Sequence, residues 1–294
     1  MEAENHVDIL FCPDRQQCNE LVLVLAAQAI PSRVRWGGRF WILSVPSDSV
    51  AVARHEVKAY SEESRRAVPA SPVPTVDHSP WPGIILYAVF LTIMALISPD
   101  MSFGVDWLGA GRMDGGRMLS GELWRPVTAL TLHADAAHLL GNILFGGFFA
   151  YSVTRYFGAG FGWLAIIVCG TLGNVANGFL SGQDHRSLGA STAVFAALGL
   201  LSGYLWRRGF PSSASRREQL APVIAGIGLL AFTGTGGENT DIGAHLLGFI
   251  VGLGGGVVVG RLGLPDADRS QVRAAVAAVG LIVAAWAAAV LAGS

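Results

Sequence analysis

Seven long apolar runs, at roughly 83–98, 137–154, 160–180, 189–206, 221–236, 243–260 and 272–292, constrain this chain more than anything else in it. Segments of that length can satisfy their backbone polar groups inside a bilayer only as helices packed on one another. The fold class is therefore mainly α, a polytopic membrane helical bundle. Composition agrees: 52% of residues are hydrophobic and 14% charged, with a mean hydropathy of +0.48, far more apolar than soluble domains. The 38 glycines suit the same reading, because small residues let membrane helices approach closely. The net charge of −1 gives no footprint for nucleic acid, and none is expected as a partner.

The N-terminal region is different. Residues 1–67 read as a small α+β domain of order βαββα: an apolar strand at Val7 to Phe11, a helix opened by Pro13-Asp14-Arg15, two strands joined by a two-residue Gly37-Gly38 hairpin, and a charged helix from Asp48 to Arg66. Residues 68–82, with Pro69, Pro72, Pro74, Pro80 and Pro82, form an extended Pro/Ser-rich linker. The core then spans 83–262, and 263–294 holds the seventh helix. Cys12, Cys18 and Cys169 match neither a zinc-site spacing nor a disulfide framework, so reduced or buried thiols are expected.

Loop charges set the orientation. The start, Met1-Glu-Ala-Glu-Asn-His-Val-Asp, is acidic and polar where a signal peptide is basic and then apolar, so the N-terminus is expected in the cytoplasm. Arg155, the group Arg207, Arg208, Arg216 and Arg217, and the group Arg261, Arg269 and Arg273 then all fall on the cytoplasmic side of a cell (inner) membrane, as the positive-inside rule requires. The loop 99–125 faces out despite Arg112, Arg117 and Arg125.

Against this background a few polar residues stand out. His138 and His245 lie inside apolar runs, and a titratable side chain in hydrocarbon marks a functional site by default. The fourth run opens Gly189-Ala190-Ser191, and Ser191 and His245 come out at similar depth near the outer surface. A serine hydroxyl needs a neighbouring base, and His245 can supply one. Free N–H groups at a helix start stabilise an oxyanion, and Gly189 leaves room for a substrate backbone. His138 and Asn142, four residues apart on one helix face, can donate to the same oxyanion. Ala244, Gly248, Gly252 and Gly256 make a small-residue stripe, Gly199 and Gly203 another, and Phe195 can pack on the imidazole. His133, Asp135, His138 and His245 can also be drawn as a metal or proton-relay cluster, the latter suiting a proton-coupled transporter. No His-Glu-x-x-His occurs, and Asp100, Asp106, Asp135 and Asp241 all fall in loops, which argues against zinc and aspartyl proteolysis. No metal or cofactor is expected.

From residue 81 to about 262 the chain closely resembles the rhomboid intramembrane serine proteases, through Trp124-Arg125, His133, His138, Asn142, Gly189-Ala190-Ser191 and Ala244-His245-x-x-Gly248-x-x-x-Gly252. The resemblance implies a six-helix core, a Ser191–His245 dyad without a third acid, and an oxyanion hole from the Ser191 N–H, Asn142 and His138. It implies cleavage of transmembrane protein substrates within the lipid bilayer, near their outer ends. The seventh helix and the soluble domain look like additions that some bacterial members carry. Thr192 departs from the glycine usual after the nucleophile, and a β-branched side chain there is expected either to crowd the oxyanion pocket or to narrow the substrates accepted. Phe195 replaces a frequent tyrosine. The runner-up within the family is a catalytically silent relative that binds transmembrane clients. The polar loop Thr233 to Asp241, with the fifth helix, is expected to form a lid and lateral entrance.

Overall fold

The computed structural model describes residues 6–66, 79–209, 215–233, 241–263 and 268–293. It divides into two compact units, Met1–Pro69 and Ala70–Ser294.

The first unit has β1 (His6–Cys12), α1 (Arg15–Ala27), β2 (Arg33–Trp36), β3 (Trp41–Pro46) and α2 (Val50–Arg66). The order βαββα is the expected one. All three strands pair antiparallel with β3 in the middle, and β3 is accordingly buried from Ile42 to Val45. Asp14 accepts the Gln17 N–H at 2.8 Å and caps α1, whose Cys18, Leu21 and Leu25 pack on β3. The hairpin is longer than expected. Trp36 pairs with Trp41, Gly37 N donates to the Phe40 carbonyl, and only Gly38 takes a positive φ, +87°; a two-residue type I′ turn needs two. The thiols also differ from expectation. Cys12 and Cys18 are both buried, as anticipated, but are joined as a disulfide with their Cα atoms 5.8 Å apart. The six-residue separation hid this, because it is the strand-to-helix turn that folds the two side chains together.

The second unit is helical: α3 (Trp81–Ile97), α4 (Ala136–Phe157), α5 (Ala159–Ser181), α6 (Ser191–Arg208), α7 (Arg216–Thr233), α8 (Ile242–Leu262) and α9 (Asp268–Gly293). All seven runs are helices, yet among the described residues only α4, α5, α8 and α9 are long and apolar enough by themselves to cross a membrane. α3 is apolar but has 17 residues. α6 is covered by neighbours along most of its surface, so it can carry Thr192, Ser202 and several glycines without exposing them to lipid. α7 opens with a charged turn in which Ser215 and Glu218 cap each other reciprocally, and it carries Pro222 inside.

Glycine sets the packing at the centre. A β-carbon at Gly248, Gly252 or Gly256 would run into the carbonyl oxygens of Thr192, Ala196 and Leu200, and one at Gly199 or Gly203 into those of Phe249 and Leu253. α6 and α8 thus touch backbone to backbone, and the matched order of contacts shows that they run in the same direction. α9 closes the bundle. Gln271 accepts from Gly160 N (2.9 Å) and Phe161 N (3.1 Å) and donates to the Phe157 carbonyl (3.0 Å), satisfying groups left over where α4 turns into α5 at Gly158. Trp286 Nε1 donates to Thr131 Oγ1 at 3.1 Å.

The segment between α3 and α4 is ordered by Arg125, which is fully buried. Its guanidinium pairs with Glu122 and donates to the carbonyls of Gly109 (3.0 Å) and Arg112 (2.8 Å). Trp124 Nε1 donates to Ala110 O at 3.2 Å. A two-residue ladder, Met113–Asp114 with Arg186–Ser187, ties this segment to the one that leads into α6. The expected linker lies mostly outside the described residues, as does the expected lid loop at 234–240.

Candidate active site

The start of α6 is fixed from both sides. Gly189 N donates to the Ala129 carbonyl at 2.9 Å, and Gly189 takes a φ of +135°, which only glycine adopts without strain. A β-carbon there would lie 2.6 Å from His138 Cε1, 2.7 Å from His138 Nε2 and 3.6 Å from Ser191 Oγ. Gly189 therefore occupies the narrow space between an imidazole and a hydroxyl. Ala190 is buried beside it, and its carbonyl takes the first intrahelical bond, from Val194 N at 3.0 Å. The N–H groups of the first turn, Ser191's included, point out of the helix end without intrahelical partners.

The other helices bring their groups to the same end. His245 lies in the first turn of α8, 7% exposed, and its ring stacks on Phe195 with centroids 4.5 Å apart and planes at 38°. Phe195 is one turn along α6 from Ser191, and Gly248, one turn along α8 from His245, is the first point of the glycine seam. Because α6 and α8 are parallel, the serine and the histidine stand at the same end of adjoining helices. Asp241 caps α8 by accepting the Ala244 N–H at 2.9 Å.

α4 contributes His138 and Asn142. Asp135 caps this helix through the His138 N–H at 2.8 Å. The Asn142 side chain donates to the His138 carbonyl at 3.1 Å, along its own helix, which uses one of the two N–H groups of its amide. Tyr87 of α3 donates to the Asn142 carbonyl at 2.8 Å and rests on Gly146, holding α4 in place. Thr192 is buried, and its methyl group lies against Gly173 of α5 and Gly248 of α8. Its bulk is taken up in a three-helix junction. The side-chain hydrogen bonds of Trp124 and Arg125 lie within the first loop, and Trp124 packs in the same cluster as Leu188, which leads into Ser191.

The surroundings of His133, named in the sequence as part of the family motif and of a candidate metal or proton-relay cluster, single it out. It is 6% exposed, stacked edge-on against His138 at 5.2 Å, and neither ring nitrogen has a hydrogen-bond partner among the described residues. Burial, with His138 beside it, holds its pKa down at about 4 against a smaller upward pull from Asp135. Only the three-dimensional contact reveals this. The caps Asp135 and Asp241, by contrast, were legible as acidic residues just ahead of apolar runs. Among the described residues no three His, Cys, Asp or Glu side chains converge as a metal ion requires, so His133, Asp135, His138 and His245 do not close into such a group.

A family model described as the Rhomboid domain matches residues 120–262, from the Trp124-Arg125 loop to the end of α8. Residues 120–262 thus form a rhomboid domain. It is similar to the rhomboid protease GluP of Bacillus subtilis (strain 168), 30% identical over 161 residues, which are 53% of this chain and 29% of that protein. It is also similar to YdcA of the same organism, assigned by name as a rhomboid protease: 29% identical over 133 residues, 45% of this chain and 65% of that one. The matched stretch covers less than two thirds of either relative. The stretch matched by the family model includes the serine, histidine, asparagine and glycine placed at the head of α6.

Proposed function

We propose that this multi-pass membrane protein is an intramembrane serine endopeptidase that cleaves transmembrane helices with a Ser191–His245 dyad. What supports it most is the convergence at one end of α6 and α8: a serine at a helix N-terminus, a histidine held on Phe195, and Gly189 spacing the serine hydroxyl from His138. Ser191 Oγ attacks the scissile carbonyl while His245 takes its proton. The oxyanion is stabilised by the Ser191 N–H, His138 and Asn142. His245 then returns the proton to the leaving amine, and a water molecule, deprotonated by the same imidazole, frees the acyl group from Ser191. The names of the relatives agree with this activity.

We place the N-terminal unit in the cytoplasm and the dyad toward the outer face. Arg207 and Arg208 end α6 and Arg261 ends α8, so two parallel helices carry their positive charge at the end away from Ser191 and His245. Purified protein in detergent, incubated with a generic transmembrane substrate, tests the assignment. Cleavage is expected, and Ser191→Ala or His245→Ala should abolish it. A protein that binds the substrate uncut would be the silent relative, and proton-coupled flux indifferent to Ser191→Ala would be a transporter.

A further inference from the structure

The base stands in the first turn of α8, ahead of the glycine seam, which begins only at Gly248. Helix ends fray unless their free groups are held. Three polar side chains hold this one. Asp241 Oδ1 accepts the Ala244 N–H at 2.9 Å, and its Oδ2 lies 3.1 Å from His185 Nε2 and 2.9 Å from Asn177 Nδ2. Asn177, buried at the end of α5, also lies 2.9 Å from His185 Nε2 and accepts from Ser181 Oγ at 3.1 Å. With Nε2 protonated, His185 and Asn177 both donate to one carboxylate oxygen while the other caps α8. His185 belongs to the segment that enters α6, four residues before Gly189. Its carbonyl accepts the Gly115 N–H at 2.9 Å, and the next residue, Arg186, pairs with Asp114 at 3.1 Å.

We infer that His185 and Asp241, with Asn177 donating to the same carboxylate, are positioning residues that lock the helix bearing His245 to the segment bearing Ser191. The clamp joins the two halves of the dyad above the seam, and Gly243 of α8 gives Asn177 the room to reach it, since a β-carbon there would lie 2.6 Å from Asn177 Oδ1. The effect of the clamp is on the fraction of molecules in which the hydroxyl and the imidazole are aligned, and small misplacements of that kind cost rate rather than substrate affinity. The inference rests on the protease reading.

Three variants of the full-length protein in detergent test it, with two readouts: the rate at which a fluorophosphonate labels Ser191, and kcat and KM for a transmembrane substrate. Asp241→Asn keeps an acceptor for the Ala244 N–H but removes the carboxylate that His185 and Asn177 share. His185→Ala removes the donor, and His185→Gln restores one. Asp241→Asn and His185→Ala should lower both labelling and kcat by about 10- to 100-fold, as loss of an orienting partner typically does, with KM and melting temperature little changed. His185→Gln should recover most of the rate. Wild-type rates in Asp241→Asn and His185→Ala, losses that track melting temperature alone, or no recovery in His185→Gln would each overturn the clamp while leaving the protease reading intact. A wild-type protein inert to both reagent and substrate would overturn both.

Discussion

At Gly189 a side chain is excluded twice, by a φ of +135° and by the His138 ring standing where a β-carbon would go. Gly189→Ala therefore has to shift either the segment entering α6 or the imidazole, at about 1–3 kcal/mol of local strain. We expect kcat to fall by at least about 10-fold, with secondary structure retained by circular dichroism; unchanged kcat would mean that the backbone relaxes away from His138. His133 yields a prediction about pH. The unfolded chain binds a proton at this residue near pH 6.5, the folded one only near 4, so the folded state is favoured fully above the higher value and loses that advantage as pH falls toward the lower one. Denaturant titrations should show stability dropping across that window by up to about 3 kcal/mol, and a His133→Gln protein should lack this component. Both sites show what a sequence can and cannot reveal. Gly189 and Ser191 are neighbours, so their joint meaning was readable. The unpartnered state of His133 depends on which groups fold around it, and nothing next to it in the chain records that.

Among the elements, the α6–α8 pair dominates. Gly252 faces the Ala196 carbonyl with no room for a methyl group, so Gly252→Val must push the helices apart. Overpacking of this kind costs about 1–3 kcal/mol, and the displacement also parts Ser191 from His245. The expected result is a lowered melting temperature together with a loss of cleavage; the same substitution at Gly254, where nothing lies within 4 Å, should leave both intact. The stripes behind this seam were legible because Gly248, Gly252 and Gly256 repeat every four residues, which puts them on one helix face whatever the partner. The clasp of Gln271 over the α4–α5 turn was not legible, since its partners lie more than a hundred residues away. The pairing of His185 with Asp241 was hidden likewise, because it joins the segment entering α6 to the start of α8 and neither neighbourhood in the chain records the other. Helix order and approximate ends followed from local hydropathy, whereas the reduced apolarity of α6 made sense only once its neighbours covered it.

For the molecule as a whole, the N-terminal unit offers a direct test of orientation. Cys12 and Cys18 are joined in the structure, whereas the cytosol keeps such pairs reduced. If the unit is cytoplasmic, as proposed, mass spectrometry after alkylation in intact cells should find both thiols free, with the linkage forming only on exposure to oxidant. A pair already linked in the cell would place the unit on the opposite side and reverse the depth assigned to Ser191. The bundle's central contact carries a longer-range consequence. A joint made of main chain contains no part that substitution can trim or lengthen, so drift in the lipid-facing residues around it leaves the distance between the two central helices unaltered, and the surface can adapt to different bilayers without retuning the chemistry.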